Sequence, residues 1–520
     1  MQLIASAVEM RGCDEEAIQR YGIPGIILME NAARGTADAM HAHITSLSQK
    51  HILIICGKGN NGGDGFALAR HLFERGCTVT VGTLSPINQL KGDARVNADI
   101  IKKISRSDSS GKITLVTSIT RQKLEDLPPV DVVVDAILGT GFKGKLKPKV
   151  ASIVAWMNNL PATRVAIDIP SGVDADSGNA EGITVQADIT CTMGLLKTGL
   201  LFSPGRDAAG KIICVDIQIP PEVFRRANIK TYIVDEHDVR NAFPARALDA
   251  HKYQLGKVFV LAGSTGLTGA AALTSTSALR SGAGAVVLGI PETFNLMMEK
   301  KLTEVMTLPL ADDGSGVLHG SAWDQIKEQS KWADVIAAGP GLSRSDDVKE
   351  IVVRLIREVE KPVVLDADAL NVLSGSDSLL SKRKAPVIIT PHTGEFSRLS
   401  GISNEAIKNE RISVAQRYAR MRKITLVLKG GPSIVASKDG NLYINQTGNP
   451  GMATAGAGDV LTGIIAGLWA QGMTEDAAAY CGAYIHGAAG DAAALKYGYQ
   501  AMTAGDIQEE LLKVFKGITG

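Results

Sequence analysis

Two successive and different α/β domains, each a parallel sheet wrapped by helices, are the fold class this sequence predicts. At 520 residues the chain is longer than one hydrophobic core usually serves. Short β-branched runs alternate with helix-like stretches: HILIIC (51–56), TVTVG (78–82), DVVVDAIL (131–138), RVAIDI (164–169), DITCTM (188–193) and KIICVDI (211–217). A second series follows in KVFVLAG (257–263), GAVVLGI (284–290), DVIAAG (334–339), PVVLDA (362–367), PVIIT (386–390) and ITLVLKGG (424–431). Such alternation implies parallel strands joined by crossover helices. Between the series, IPPEVFRRANIK (219–230) is polar and marked by prolines, and no strong strand signal resumes until Val258. The boundary is therefore expected near residue 225, with domains at 1–222 and 228–520. The halves share no sequence repeat.

Composition narrows the function classes. The 55 basic and 54 acidic residues leave a formal charge of +1 with no long like-charged block, which gives no footprint for nucleic acid. The six cysteines are scattered, form no C-x-x-C pair, and several lie in apolar runs, which reads as buried thiols in a reducing, cytoplasmic setting. The opening MQLIASAVEMRGCDEE has no basic n-region and carries Glu9 inside its apolar stretch, so a secretory signal is not expected. The most hydrophobic helical segment, Val460 to Ala470, is too short to span a bilayer.

In the N-terminal half, the strand 51–56 runs into GKGNNGGDGFALARHLFERG (57–76), which satisfies G-x-G-x-x-G through Gly57, Gly59 and Gly62 before a helix. Backbone N–H groups at a helix N-terminus favour an anion there. A dehydrogenase also needs an acid at the end of the next strand to hold a ribose, and TVTVGTLSP has none. The loop carries Asn60, Asn61 and Asp64 instead, and the alternative reading is a glycine turn merely capped by Asn and Asp. DAILGTGFKGK (135–145) and AIDIPSGVDAD (166–176) also place acids and glycines at strand ends, the edge where ligands bind in open α/β sheets. Asp135 and Asp168 each end a buried strand, a costly position for a carboxylate without a partner, a cation or a task. Either alone reads as a turn cap; three neighbouring strand ends together read as a site.

LMENAARG (28–35), GKGNNGGDG (57–65), DAILGTG (135–141) and IDIPSGVDADSG (167–178) together resemble the NAD(P)H-hydrate epimerase domain over residues 1–220. The resemblance implies a Rossmann-like sheet and a hydrated dinucleotide held by Asn60, Asn61, Gly62, Gly63 and Asp64. Gly139, Thr140, Gly141, Phe142, Lys143, Gly144 and Lys145 are implied to complete that pocket, although loop lysines are ordinarily just solvated. It also implies Asp168 as the acid/base group in contact with substrate, and a potassium ion at Asn61, Asp135 and Ser171, all oxygen donors suited to a hard cation. The substrate's C6 hydroxyl lies beside the ring nitrogen, leaves as water once protonated, and the ring cation is rehydrated on the other face.

In the C-terminal half, GNPGMATAGAGDVLTGIIAGLWAQG (448–472) sets a tight glycine turn directly before Asp459 and an apolar helix. An anion pocket and a carboxylate are thus adjacent, as phosphoryl transfer requires; the bland reading is an N-cap Asp. KYQLGKVFVLAGS (252–264), AAGPGLS (337–343), LDADALN (365–371), ITPHTGEFSRL (389–399) and LVLKGGPSIVAS (426–437) supply the context. In that order they resemble the ribokinase-like superfamily, and PHTGEF with NPGMATAGAGD is similar to the NAD(P)H-hydrate dehydratases over about residues 232–515.

This second resemblance implies nucleotide binding by Lys429, Gly430, Gly431, Pro432 and Ser433 and by Asn449, Gly451, Thr454, Gly456, Ala457 and Gly458. Hydrate contacts are implied at Ala272, Gly341, His392 and Asp459, with Asp459 catalytic. A lone His after a strand is ordinarily structural, and its place in PHTGE favours binding over proton transfer. Asp366, Asp368 and Asn371 stand between two readings, Mg²⁺ and phosphate ligation or capping of the next helix. No Walker-type G-x-x-x-x-G-K-[ST] is present. The family reaction is phosphorylation of the C6 hydroxyl followed by loss of phosphate, and chains joining both domains are typically bacterial or archaeal users of ADP, giving AMP and phosphate. The partners so implied are NADHX, NADPHX and ADP with Mg²⁺, in a homo-oligomer. Two alternatives remain, a small-molecule kinase for vitamin precursors that stops at a phosphate ester, and an N-terminal half that only binds or scaffolds.

Overall fold

The computed structural model describes residues 1–244 and 254–519. Lys252 and Tyr253 of the KYQLGKVFVLAGS stretch lie outside the described residues. The chain divides into two compact units, Leu3–Ile229 and Lys230–Gly520, the latter joined by Met1–Gln2. The short helix Pro221–Arg226 spans the expected boundary, yet Val223 and Ile229 are buried in the N-terminal core. Polar and proline-rich as it is, this stretch is therefore the last element of the first unit.

In the N-terminal unit the strands are β1 (Gln2–Ala5), β2 (His51–Cys56), β3 (Thr78–Thr83), β4 (Ile113–Val116), β5 (Val132–Ala136), β6 (Thr163–Ile167), β7 (Ile189–Met193), β8 (Leu196–Lys197) and β9 (Lys211–Val215). Seven of them form one parallel sheet in the order β4-β3-β2-β5-β6-β7-β9, and β1 pairs with β8. Nearly every side chain of β2, β5 and β7 is buried, because helices cover both sheet faces. The chain runs outward from β2 to β4 and then returns to the other side of β2 with β5. The crevice at this reversal is where such sheets bind ligands.

The C-terminal unit contributes β10 (Thr231–Val234), β11 (Lys257–Leu261), β12 (Ala285–Pro291), β13 (Met306–Leu310), β14 (Val335–Ala338), β15 (Val363–Leu365), β16 (Val387–Ile389), β17 (Thr425–Leu428), β18 (Ser433–Ala436) and β19 (Leu442–Asn445). Their order is β13-β12-β11-β14-β15-β16-β17-β18-β19-β10. This sheet is mixed: β18 runs antiparallel to β17 and to β19, where a wholly parallel sheet was expected. The four-residue strands β18 and β19 are joined by a turn at Ser437–Asn441 too short for a crossover helix. Strand β13 carries Pro309, which an edge strand tolerates. Among the described residues no helix is long and apolar enough to cross a membrane.

Candidate functional site

The N-terminal site grows from the ends of β2, β5, β6 and β7. A Cβ on Gly57 would run into the Ile137 carbonyl oxygen, and one on Gly62 into the Gly57 carbonyl oxygen. Those two glycines let the strand turn at once into the helix Asn60–Glu74. That helix starts at Gly59 with no side-chain cap, so the turn is not capped by Asn or Asp and the first N–H groups remain available to an anion. Asn61 donates from Nδ2 to the Leu138 carbonyl (2.9 Å), while its Oδ1 is buried without a partner among the described residues. Asp135 is fully buried and accepts from the Ser171 N–H and hydroxyl (both 2.7 Å) and from the Ile137 N–H (3.0 Å). Burial pushes its carboxyl up to about 6 against those hydrogen bonds.

Asp168 follows β6 in a left-handed conformation, φ +67°, unusual for a non-glycine residue and typical of functional sites. Its Oδ1 meets the Lys197 ammonium at 2.6 Å, the Thr192 hydroxyl at 3.3 Å and the Met193 N–H at 3.4 Å. Lys197 is 1% exposed and also donates to Thr192 Oγ1 (3.2 Å) and the Met193 carbonyl (2.5 Å). The other Asp168 oxygen, Oδ2, lies toward Gly139 of the GTG loop. A cavity of about 1130 Å³ opens here, lined by Asn60, Asn61, Asp64, Asp168, Lys197, residues 139–143 and Lys145. Gly144 is not among its lining residues. Asp14 also lines it, with a buried Oδ1 that has no partner among the described residues. Burial, then Asp168, pushes the Asp64 carboxyl well above the usual range. Burial raises Asp14 to about 6, with Lys197 opposing. Lys197 and Asp14 escaped the reading of the sequence.

The C-terminal site occupies the same edge of β14 to β17. Asp366, directly after β15, is buried and accepts from Lys429 Nζ (2.8 Å) and the Thr462 hydroxyl (2.7 Å). Lys429, directly after β17, also lies 3.8 Å from Glu395. Burial works against its ammonium, but Asp366 and Glu395 outweigh it and hold its pKa above the usual value. Asp368 accepts from the Ser343 N–H (3.1 Å) and Arg344 (3.0 Å), and Asn371 accepts from Arg398 (2.9 Å). Their short helix Asp368–Val372 has no side-chain cap, so capping is not what these residues do. His392 does cap: its Nδ1 accepts from the Gly394 N–H (3.0 Å), leaving a ring more than half exposed.

The GAGD turn places Gly456 at the N-cap of the helix Ala457–Ala470, again without a side-chain cap. Asp459 is in the first turn, not at the cap, and among the described residues its carboxylate takes no hydrogen bond or ion pair. Burial, then Asp366, pushes it up to about 7 against the pull of Lys429. A Cβ on Gly458 would stand 3.0 Å from Lys429 Nζ and 3.6 Å from Asp366 Oδ2, so the turn, the lysine and both acids converge. Asn449 accepts from the Gly451 N–H (3.0 Å) and donates to Asp491 (2.9 Å), bracing the preceding loop. Ser433 bonds back to the Gly430 carbonyl (3.0 Å). Behind that loop the half-buried Arg411, brought by desolvation to about 10, donates to the Leu428 (3.2 Å) and Lys429 (2.7 Å) carbonyls. Gly341, at φ +64°, packs on Leu267 and Ala270, and Ala272 is buried in the same helix, Thr268–Arg280.

Residues 25–199 match the family described as YjeF-related protein N-terminus, and residues 258–513 match NAD(P)H-hydrate dehydratase. The bifunctional NAD(P)H-hydrate repair enzyme Nnr of Moorella thermoacetica is 41% identical over 99% of this chain and 97% of its own. The chain belongs to the bifunctional NAD(P)H-hydrate repair enzymes. It joins an NAD(P)H-hydrate epimerase to a nucleotide-dependent dehydratase. A repair enzyme from Leishmania major is 35% identical over 95% of this chain and 90% of its own, so the fused form is not confined to bacteria and archaea. The ADP/ATP-dependent NAD(P)H-hydrate dehydratase of Bacillus subtilis, co-crystallised with ATP and Mg²⁺, is 30% identical, covering 55% of this repair enzyme and 97% of its own chain at a TM-score of 0.47.

Proposed function

We propose that the N-terminal unit interconverts R and S hydrates of NADH and NADPH with Asp168 as acid/base group. The C-terminal unit then phosphorylates the C6 hydroxyl of the S hydrate from ADP, with Asp459 taking the hydroxyl proton. Phosphate, a far better leaving group than hydroxide, departs and restores the dihydronicotinamide ring. The observation that carries this reading is a carboxylate oxygen in each unit that is left open among the described residues, Asp168 Oδ2 and those of Asp459, each beside an uncapped helix N-terminus at the ligand edge of its sheet. Neither half reads as a scaffold, because a binding platform has no use for a lysine–aspartate ion pair at such an edge, Lys197 with Asp168 and Lys429 with Asp366. Six free cysteines, all buried except the exposed Cys214, suit a cytoplasmic home.

The fused arrangement does not decide the nucleotide; ADP rests on the family resemblance. The helix start at Gly456–Gly458 and the 429–433 loop would hold its phosphates, with Asp366 and Asp368 toward Mg²⁺, which would offset charge on the transferring group. With ADP and Mg²⁺ a mixture of R and S hydrates should be converted fully to reduced cofactor. Conversion that stops when the S form is exhausted would remove the epimerase, and a stable phosphate ester would favour a kinase. If ATP supports repair and ADP does not, the nucleotide assignment is wrong.

Potassium fits the first site: the orphaned, buried Asn61 Oδ1 stands with Asp135 and Ser171 in an all-oxygen set. Replacing potassium by lithium should slow epimerisation and leave dehydration of pure S hydrate unchanged. Asn61→Leu should no longer respond to the exchange. An epimerase equally fast in either salt would sink this site.

A further inference from the structure

Epimerisation poses a problem of faces. The hydroxyl leaves C6 on one side of the ring and water returns on the other, so a carboxyl fixed on one side serves only half of the event. Asp168 is fixed: its Oδ1 is locked by Lys197, Thr192 and the Met193 N–H, and the locking ammonium is itself buried and held by two further oxygens. One carboxylate that shuttles a proton through water suffices for the net reaction, but a second carrier in the same cavity would serve the other face directly. Asp14, from the helix Ala7–Tyr21, lines that cavity, and its Oδ1 is buried with no partner among the described residues, an expense that a purely structural carboxyl avoids.

Building on the reading of Asp168 above, we propose that Asp14 is the second acid/base residue of the epimerase, working on the opposite face of the ring. In one direction protonated Asp14 gives its proton to the C6 hydroxyl. The C–O bond breaks with its electron pair on oxygen, water departs, and the ring nitrogen lone pair forms the ring cation. Water then bonds to C6 from the other side and gives its proton to the Asp168 carboxylate. The two carboxyls have exchanged protonation states, and the return reaction runs from that state with the roles reversed. Burial, which raises the Asp14 carboxyl to about 6 against the pull of Lys197, keeps a protonated fraction present at neutral pH.

The test uses the full chain without nucleotide, so that the dehydratase is silent, with pure R or pure S hydrate in ¹⁸O-water. Wild type should interconvert the epimers and label both. Asp14→Asn should lose interconversion by about 10²-fold or more yet still label one epimer with its configuration retained, because Asp168 alone can release and re-add water on its own face. Asp168→Asn should label the other epimer. Asp14→Glu should interconvert faster than Asp14→Asn. Interconversion by Asp14→Asn near the wild-type rate, with Asp168→Asn inactive, overturns this proposal and leaves Asp168 standing. A wild-type rate in Asp168→Asn overturns the underlying reading instead. Loss of labelling together with interconversion in a normally melting Asp14→Asn makes Asp14 a binding residue and also overturns the proposal.

Discussion

Asp459→Asn is expected to lower nucleotide-dependent dehydration of S hydrate by about 10²- to 10⁴-fold, the usual worth of a general base, with the epimerase rate unchanged. The side chain keeps its size and loses only the ability to accept a proton. No cap is lost, because Gly456 and not Asp459 is the N-cap. The pH dependence gives a second signature. The carboxyl sits at about 7, raised by burial and by Asp366, so the base form accumulates as pH rises. The kcat/KM for dehydration should therefore climb through about pH 7, and the Asn variant should lack that limb. Stability moves the other way: a folded-state pKa above the unfolded one means that stability present at low pH is lost as pH rises through about 7. Relative to wild type, Asp459→Asn should gain stability as pH rises from about 4 to 7 and hold that gain above it. Near-wild-type dehydration by the folded variant would remove Asp459 from the mechanism.

What was legible in the sequence was whatever sat in a contiguous motif at the end of a strong strand. Asn61, Asp135, Ser171 and Asp168 came from such motifs, and the sheet that carries them reads easily because HILIIC and ITCTM are continuous buried runs. Strands β1, β4, β8, β10, β13, β18 and β19 were missed: they are two to five residues long, and β4 and β13 are edges with half-exposed side chains, whereas the equally short β15 and β16 sit in the continuous apolar runs PVVLDA and PVIIT. Asp14 hides in the acidic run CDEE. Its signal was available nonetheless: Met10, Cys13 and Ala17 are buried, and positions 10, 13, 14 and 17 form one helical stripe, so Asp14 belongs to the inward face.

At the second site, Asp366 offered two readings that spacing alone does not separate. The choice depends on Lys429 and Thr462, 63 and 96 residues away in the chain, contacts that only the packed sheet creates. The N-cap reading of Asp459 failed for a local reason: the left-handed Gly456, at φ +91°, starts the helix three residues early. His392 shows the opposite case, since its capping bonds, invisible in the motif, occupy Nδ1 while Nε2 lies 3.5 Å from Glu395 Oε1.

Lys197→Met should be the most damaging single change in the N-terminal unit, and a double variant separates its two effects. Lys197 read as an ordinary lysine, although its place inside the apolar run LLKTGLLF was a warning; in the fold it is 1% exposed and 2.6 Å from Asp168. Methionine matches its length, so packing is largely kept, but the Asp168 carboxylate loses its counter-charge. Removing one partner of a buried pair typically costs about 3–5 kcal/mol, and Asp168, 13% exposed, should fall toward the lower end. Epimerisation should drop by about 10²-fold or more, because Asp168 loses the ammonium that holds its Oδ1 in place. Dehydration of pure S hydrate should continue. Adding Asp168→Asn to Lys197→Met removes the stranded charge, so the double variant should recover most of the lost stability in a urea titration while remaining inactive as an epimerase. A double variant no more stable than Lys197→Met alone would show that the lysine acts through packing and not through its charge on Asp168.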